Sequence, residues 1–206
     1  MTEAVIVSTA RTPIGRAMKG SLIECRPDDL TASIVRTALD KVPQLGPSTV
    51  EDLIVGCGQP GGESGFNVAR VAAILAGLDD VPGVTVNRYC SSSLQAIRMA
   101  AHAIKAGEGD VFVAAGVETV SRYMNGMADS GPTNPLFADA MARSAERANG
   151  ADSWAPQPGL PDIYIAMGQT AENVRLAENV SRRHGRVRGT QPAAGRRQPG
   201  ERLLGR

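Results

Sequence analysis

Two hydrophobic periods alternate along this chain. Short apolar or β-branched runs recur at residues 4–7 (Ala-Val-Ile-Val), 52–56, 84–86 (Val-Thr-Val) and 110–116. Runs of that length, bounded by Gly, Pro and polar residues, predict buried strands, with residues 4–7 as a central one. Between them, apolar residues return every three or four positions. Leu30, Ile34, Ala38 and Leu39 predict a helix over 28–42, with Pro27 ahead of it and Asp28 and Asp29 suited to its N-terminus. Val68, Val71, Ala72 and Leu75 predict the inward stripe of a helix over 66–76. Leu94, Ile97, Ala101 and Ile104 make the apolar face of a third helix that stops at Gly107; Gln95, Arg98, His102 and Lys105 fall on its polar face. Strands alternating with helices predict an α/β fold, a mixed and largely parallel sheet with helices on both faces. Its active site is expected at the carboxyl ends of the strands.

The pattern breaks at residues 119–166, which are irregular and rich in Pro, Gly, Asn and Met. A segment that long is functional or disordered. Trp154 within it reads as a packed aromatic in a small satellite core, with the lining of an acyl passage as the alternative. Residues 167–180 turn helical again, with Met167, Ala171, Val174 and Ala177 on one stripe. From Arg183 onward there is neither an aromatic residue nor an apolar period, and the tail reads as disordered. Charge divides at the same place. Residues 181–206 hold eight Arg and one Glu, +7, which leaves −6 on the body of a chain whose total is +1. At 42% hydrophobic and 21% charged, the chain has the composition of a globular protein with a sizeable core. No stretch is apolar enough to span a membrane, and a start directly on a strand pattern argues against a signal peptide. Cys25, Cys57 and Cys90 show neither metal spacing nor an even disulfide framework, which predicts a reducing, cytoplasmic setting.

Cys90 carries the candidate chemistry. It lies where a predicted strand ends and a helix begins, and the unpaired N–H groups and dipole of a helix start favour a thiolate, the nucleophilic form. Ser91, Ser92 and Ser93 follow, small enough to let a substrate approach. By position alone, a buried cysteine acting as a small hydrophobe fits equally well. Other candidates are weaker. Gly56-Cys57-Gly58 and Gly61-Gly62 lack both the P-loop ending and the Rossmann spacing, and read as turns. Cys57 reads as a buried structural thiol and Cys25 as an ordinary loop residue. His102 falls on a polar face, away from the helix end that carries Cys90. Glu118 and Asp110 read as solvated or capping residues.

The residues around Cys90 tip the balance. Asn87-Arg88-Tyr89-Cys90-Ser91-Ser92-Ser93-Leu94-Gln95-Ala96 closely resembles the nucleophile segment of the thiolases, the acetyl-CoA acyltransferases. Residues 110–119 resemble the strand and turn that follow it there. Residues 5–15, with Ala10-Arg11-Thr12-Pro13-Ile14-Gly15, resemble the thiolase N-terminal strand and loop. Met167-Gly168-Gln169-Thr170-Ala171-Glu172-Asn173-Val174 resembles a helix start in the thiolase loop domain. Four segments in the family's order are more specific than one motif. The resemblance implies an N-terminal α/β half over residues 1–118 and the start of an inserted loop domain over 119–182. It implies Cys90 as the acyl-carrying nucleophile and Met167 against the substrate, although a gap-filling core methionine suits Met167 as well. Acyl-CoA and coenzyme A would be substrates, with no separate cofactor, no metal, no nucleic acid and no membrane, in a homodimer or tetramer. A ketoacyl synthase relative and a non-catalytic fragment that dimerises or binds an intact thiolase are the other readings.

The sequence also departs from the family. Thiolase chemistry needs an Asn segment, a Gly-His-Pro segment and a second Cys from the family's second half, and this sequence contains none of them. The family would continue past residue 182 with a helix like Met-Asp-Glu-Phe-Gly-Val-Arg-Ser-Gln. With His184 written CAT and reading begun one nucleotide later, the codons allowed for residues 184–193 include that string. The expectation is therefore that residues from about 183 are translated out of frame, and that the chain is truncated and inactive alone. An Arg-rich arm for phosphates or anionic surfaces is the rival reading of the tail.

Overall fold

The computed structural model describes residues 3–148 and 159–177 of the 206-residue chain. Trp154, residues 178–182 and the Arg-rich tail lie outside the described residues. The chain divides into two compact units, Met1–Gly131 and Pro132–Arg206.

The first unit is built on three parallel strands in the order β2-β1-β3: β1 (Asp52–Gly56), β2 (Gly83–Val86) and β3 (Phe112–Gly116). The register pairs Gly56 with Val86 on one side and with Gly116 on the other. Three helices cover the sheet: α1 (Pro27–Asp40), α2 (Val68–Leu75) and α3 (Ser92–Ala106). The two-residue period of β1 assigns its faces. Leu53, Val55 and Cys57 point into a core shared with Val35 of α1 and Val68, Ala69, Ala72 and Ala73 of α2. Ile54 points the other way, against Ala96 and Ala100 of α3. Gly107 ends α3 with φ +78°, and its N–H and that of Glu108 bond back to carbonyls of the last turn. That left-handed residue is the stop glycine was expected to supply.

Two expectations are corrected. Residues 4–7 are not a strand: Val5, Ile6 and Val7 are exposed, and no strand pairs with them among the described residues. An apolar run becomes a strand only where a ladder partner takes its N–H and C=O groups. This segment is tethered instead by the Ser8 hydroxyl donating to Ala38 O at 2.6 Å and by Lys41 Nζ donating to Thr9 O at 2.7 Å. The inward faces of the helices also differ. On α3 the buried residues are Ser92, Ala96 and Ala100, while Leu94 is 67% and Ile97 45% exposed. Small side chains face the sheet because the helix approaches it closely.

In the second unit, α5 (Met167–Ala177) bonds to α4 (Ala138–Ala148) through the Gln169 side-chain amide, which donates to Ser144 O, and the segment ahead of α5 packs against α4 and the turn before it. Asp162 accepts hydrogen bonds from Arg143 and Arg147, each at 2.9 Å. Phe137 and Tyr164 meet edge to face with centroids 5.5 Å apart. The helix α4 lies inside the stretch that read as irregular. No helix among the described residues is long and apolar enough to cross a membrane.

Candidate active site

Cys90 sits in a single tight turn, Tyr89–Ser91, between the end of β2 and the start of α3. Tyr89 holds the left-handed conformation, φ +46°, which a non-glycine residue adopts only when its surroundings enforce it. The enforcing contacts are local. Asn87 Oδ1 accepts the Tyr89 N–H at 2.8 Å. The buried Ser92 hydroxyl accepts the Arg88 N–H at 2.8 Å and donates to Tyr89 O at 2.6 Å. One side chain thus ties together the backbone on both sides of the bend, and Cys90 is left exposed between its anchors.

The height of the turn above the sheet is set by two glycines. A Cβ at Gly56 would collide with the backbone of Ser92 and Ser93, and one at Gly116 with the Ser93 side chain. Gly56 and Gly116 end β1 and β3. They let the first turn of α3 drop onto the strand ends, where any side chain would hold it off.

A cavity of about 620 Å³ opens at this point, lined by Cys90, Gly58, Gln59, Glu118, Tyr123 and Arg11 among others. Its walls are the segments leaving β1 and β3. The strand order reverses between those two strands, and that switch point is where open α/β sheets bind ligands. Gln59 links the wall to the nucleophile turn. Its Nε2 donates to Asp129 Oδ2 at 2.7 Å, and the Tyr89 hydroxyl reaches Asp129 Oδ1 at 3.5 Å.

Charge around the cavity is organised by two carboxylates. Glu118 Oε2 accepts the Gly58 N–H at 2.8 Å. Burial and a hydrogen bond to Glu118 push the Tyr123 phenol well above its ordinary value, so it stays protonated. Burial, then the Glu118 charge, pushes the Cys57 thiol up as well, and Cys57 remains a buried neutral thiol. Glu63 lies further out. Arg122 binds both its oxygens, and Arg26 at 3.3 Å and Asn125 at 3.1 Å add to them. Arg122 thereby holds the Glu63 carboxyl below the usual carboxylate range.

The other sequence candidates lie elsewhere. His102 is ten residues into α3, about 15 Å along its axis from Ser92, and is exposed. Cys25 is half-buried in the first unit. Met167 opens α5 in the second unit and is 71% exposed. Asp110 is exposed, and its N–H is taken by Glu51. Among the described residues, no three His, Cys, Asp or Glu side chains gather as a metal site. Reading the sequence missed Arg11, Gln59 and Tyr123 as cavity residues and Ser92 as the anchor of the turn.

Residues 4–185 match the family model of the thiolase N-terminal domain. The chain belongs to the thiolase family. It is 44% identical to a 3-ketoacyl-CoA thiolase of Bacillus subtilis over 184 residues, which are 88% of this chain and 41% of that protein. It is 41% identical to a 3-oxoadipyl-CoA/3-oxo-5,6-dehydrosuberyl-CoA thiolase of Escherichia coli over 188 residues, 88% of this chain and 44% of the other. It is 47% identical to a 3-ketoacyl-CoA thiolase of Shewanella loihica over 146 residues, 68% and 38% of the two. The chain spans about two fifths of the length of these relatives. The family match favours the thiolase reading over a ketoacyl synthase.

Proposed function

We propose that this chain carries the nucleophilic half of a thiolase-type acyltransferase site, with Cys90 as the residue that takes the acyl group. The observation that carries this is the placement of Cys90: exposed, at a strand–helix joint, in a thiolase-like segment, facing the cavity at the switch point. The Cys90 thiolate attacks the ketone carbon of a 3-ketoacyl-CoA. The carbon–carbon bond to the acetyl unit breaks, its electron pair leaves on that unit as an enolate, and a proton converts it to acetyl-CoA. The acyl group stays on Sγ. The thiolate of coenzyme A then attacks this thioester, and the Cys90 thiolate leaves. The N-terminus of the 15-residue α3 offers partial positive charge to the developing oxyanion.

The proton transfers need further groups. The 206 residues include no Gly-His-Pro, and Cys25 and Cys57 both precede Cys90. We infer that this chain alone accepts one acyl group without sustained turnover. A thiolysis assay with a 3-ketoacyl-CoA and coenzyme A should give at most one product per chain; steady turnover would overturn that. Met167 as a substrate contact, residues 119–182 as part of a loop domain, assembly as a homodimer or tetramer, and a cytoplasmic setting belong to the same proposal. The three free thiols suit a reducing compartment.

The residues from about 183 are best read as out of frame. The family match stops at residue 185, close to where the shifted frame begins. Resequencing the gene through the codons for residues 175–206 and beyond tests this. A shifted frame that continues as thiolase supports it, and one that does not removes it. The second reading is a fragment that associates with an intact thiolase, for which co-purification is the test.

A further inference from the structure

We propose that Glu118 is a positioning residue for Cys90, a carboxylate that clamps the exits of β1 and β3 together and fixes the wall against which the acyl group lies. This rests on the acyl-transfer reading of Cys90. Glu118 stands two residues beyond β3 and lines the cavity with Cys90. Its Oε2 accepts the N–H of Gly58, two residues beyond β1. Gly58 is the layer between that carboxylate and the nucleophile turn. A Cβ built there would stand 2.8 Å from Glu118 Oε2 and 3.4 Å from the carbonyl carbon and oxygen of Tyr89. Pulling on the Gly58 amide therefore sets the position of the peptide that leads into Cys90.

The second oxygen is engaged too. Oε1 lies 3.9 Å from the Cys57 thiol, and burial and this carboxylate keep the nearby Tyr123 phenol protonated. One charged group thus gathers a backbone N–H and a thiol, and shares the cavity wall with Tyr123 and Cys90. With those donors on it, Glu118 works by holding geometry and not as a free general base. The Tyr123 ring forms a face of the same cavity. A displacement of the turn by an ångström is enough to lower a reaction at Sγ strongly.

The test is acetylation of the full chain by p-nitrophenyl acetate, a small activated ester that needs no coenzyme A. The rate at Cys90 is read by peptide mass spectrometry against Cys25 as internal standard. Glu118→Ala should lower the Cys90:Cys25 ratio about tenfold. Glu118→Gln, which keeps an acceptor oxygen of the same reach, should recover most of it. Tyr123→Phe should give a smaller loss, and the Glu118→Ala/Tyr123→Phe pair no more than Glu118→Ala alone. An unchanged ratio in Glu118→Ala overturns the proposal, as does a Gln variant as impaired as the Ala one. If Glu118→Ala does not fold, Tyr123→Phe and Glu118→Gln decide alone: a Tyr123→Phe ratio equal to wild type, or a Gln variant that folds and has lost the ratio, overturns it. A wild-type Cys90 no faster than Cys25 instead removes the nucleophile reading itself, leaving nothing to position.

Discussion

The two faces of the sheet are built on different terms. On the face of α1 and α2, Leu53 and Val55 are completely buried against Val35, Val68 and a run of alanines. On the face of α3, the buried partners of Ile54 are small, Ala96 and Ala100, with Met99 and Phe112 only partly buried beside them, and Leu94 and Ile97 of α3 are exposed. The first face is a conventional core, where burial of large side chains supplies stability. The second trades bulk for closeness. Glycines at the strand ends and a serine at the helix start bring the α3 terminus onto the sheet, and Cys90 rides on that terminus. One face holds the fold, and the other holds the nucleophile.

Substitutions should separate the two, beginning with the largest effect. Leu53→Ala removes a fully buried side chain from the α1/α2 face and should cost about 2–5 kcal/mol in urea unfolding. Among variants that still fold, the rate of Cys90 alkylation should hardly change. Gly56→Ala forces a Cβ into the Ser92–Ser93 backbone and should cost about 1–3 kcal/mol while lowering acylation at Cys90. Ser92→Ala leaves the Arg88 N–H and Tyr89 C=O without their shared partner. It should cost about 1–3 kcal/mol and slow acylation by more than its stability loss explains. If Ser92→Ala acylates normally, the idea that the α3 face exists to hold the turn fails.

Glu63 gives a pH effect outside both faces. Its folded-state carboxyl lies below its ordinary value of 4.5 because Arg122 is bonded to it. The stability this contributes is complete above that value and is lost as pH falls through the lower folded value. Glu63→Gln should flatten the acid limb of the stability curve and leave the neutral region nearly parallel to wild type. The smallest effect belongs to the outward stripe. Leu94→Ser should change the unfolding free energy by less than about 0.5 kcal/mol, since the residue is already mostly in water.

The same contrast governs what the sequence revealed. The strand at 52–56 and the joint at Cys90 were legible because a change of hydrophobic period marks each of them. The inward face of α2 was legible in part, with Val68 and Ala72 buried as expected but Leu75 exposed, and that of α3 was not, because periodicity weighs bulky residues and the packing also selects Ala69, Ala73, Ala96 and Ala100. The helix α4 stayed hidden because its inward residues are Ala140 and Ser144 and its anchors are Arg143 and Arg147 on Asp162. Ion pairs leave no apolar period. Residues 4–7 carried a strand's composition without a strand's partner. Of the site, the nucleophile was readable from local residues, but Arg11, Gln59 and Tyr123 come together only through the fold. Gly56 and Gly116, each ending a predicted strand, were the available sign of a close approach.

The most direct measurement is of the acyl group itself. The full chain would be incubated with acetyl-CoA, quenched in acid, digested and mapped by mass spectrometry, beside Cys90→Ala. The account predicts one acetyl group, on the peptide containing Cys90 and absent from the variant. An acetyl group spread over Cys25 and Cys90 alike, or none on Cys90 in a folded chain, would contradict it.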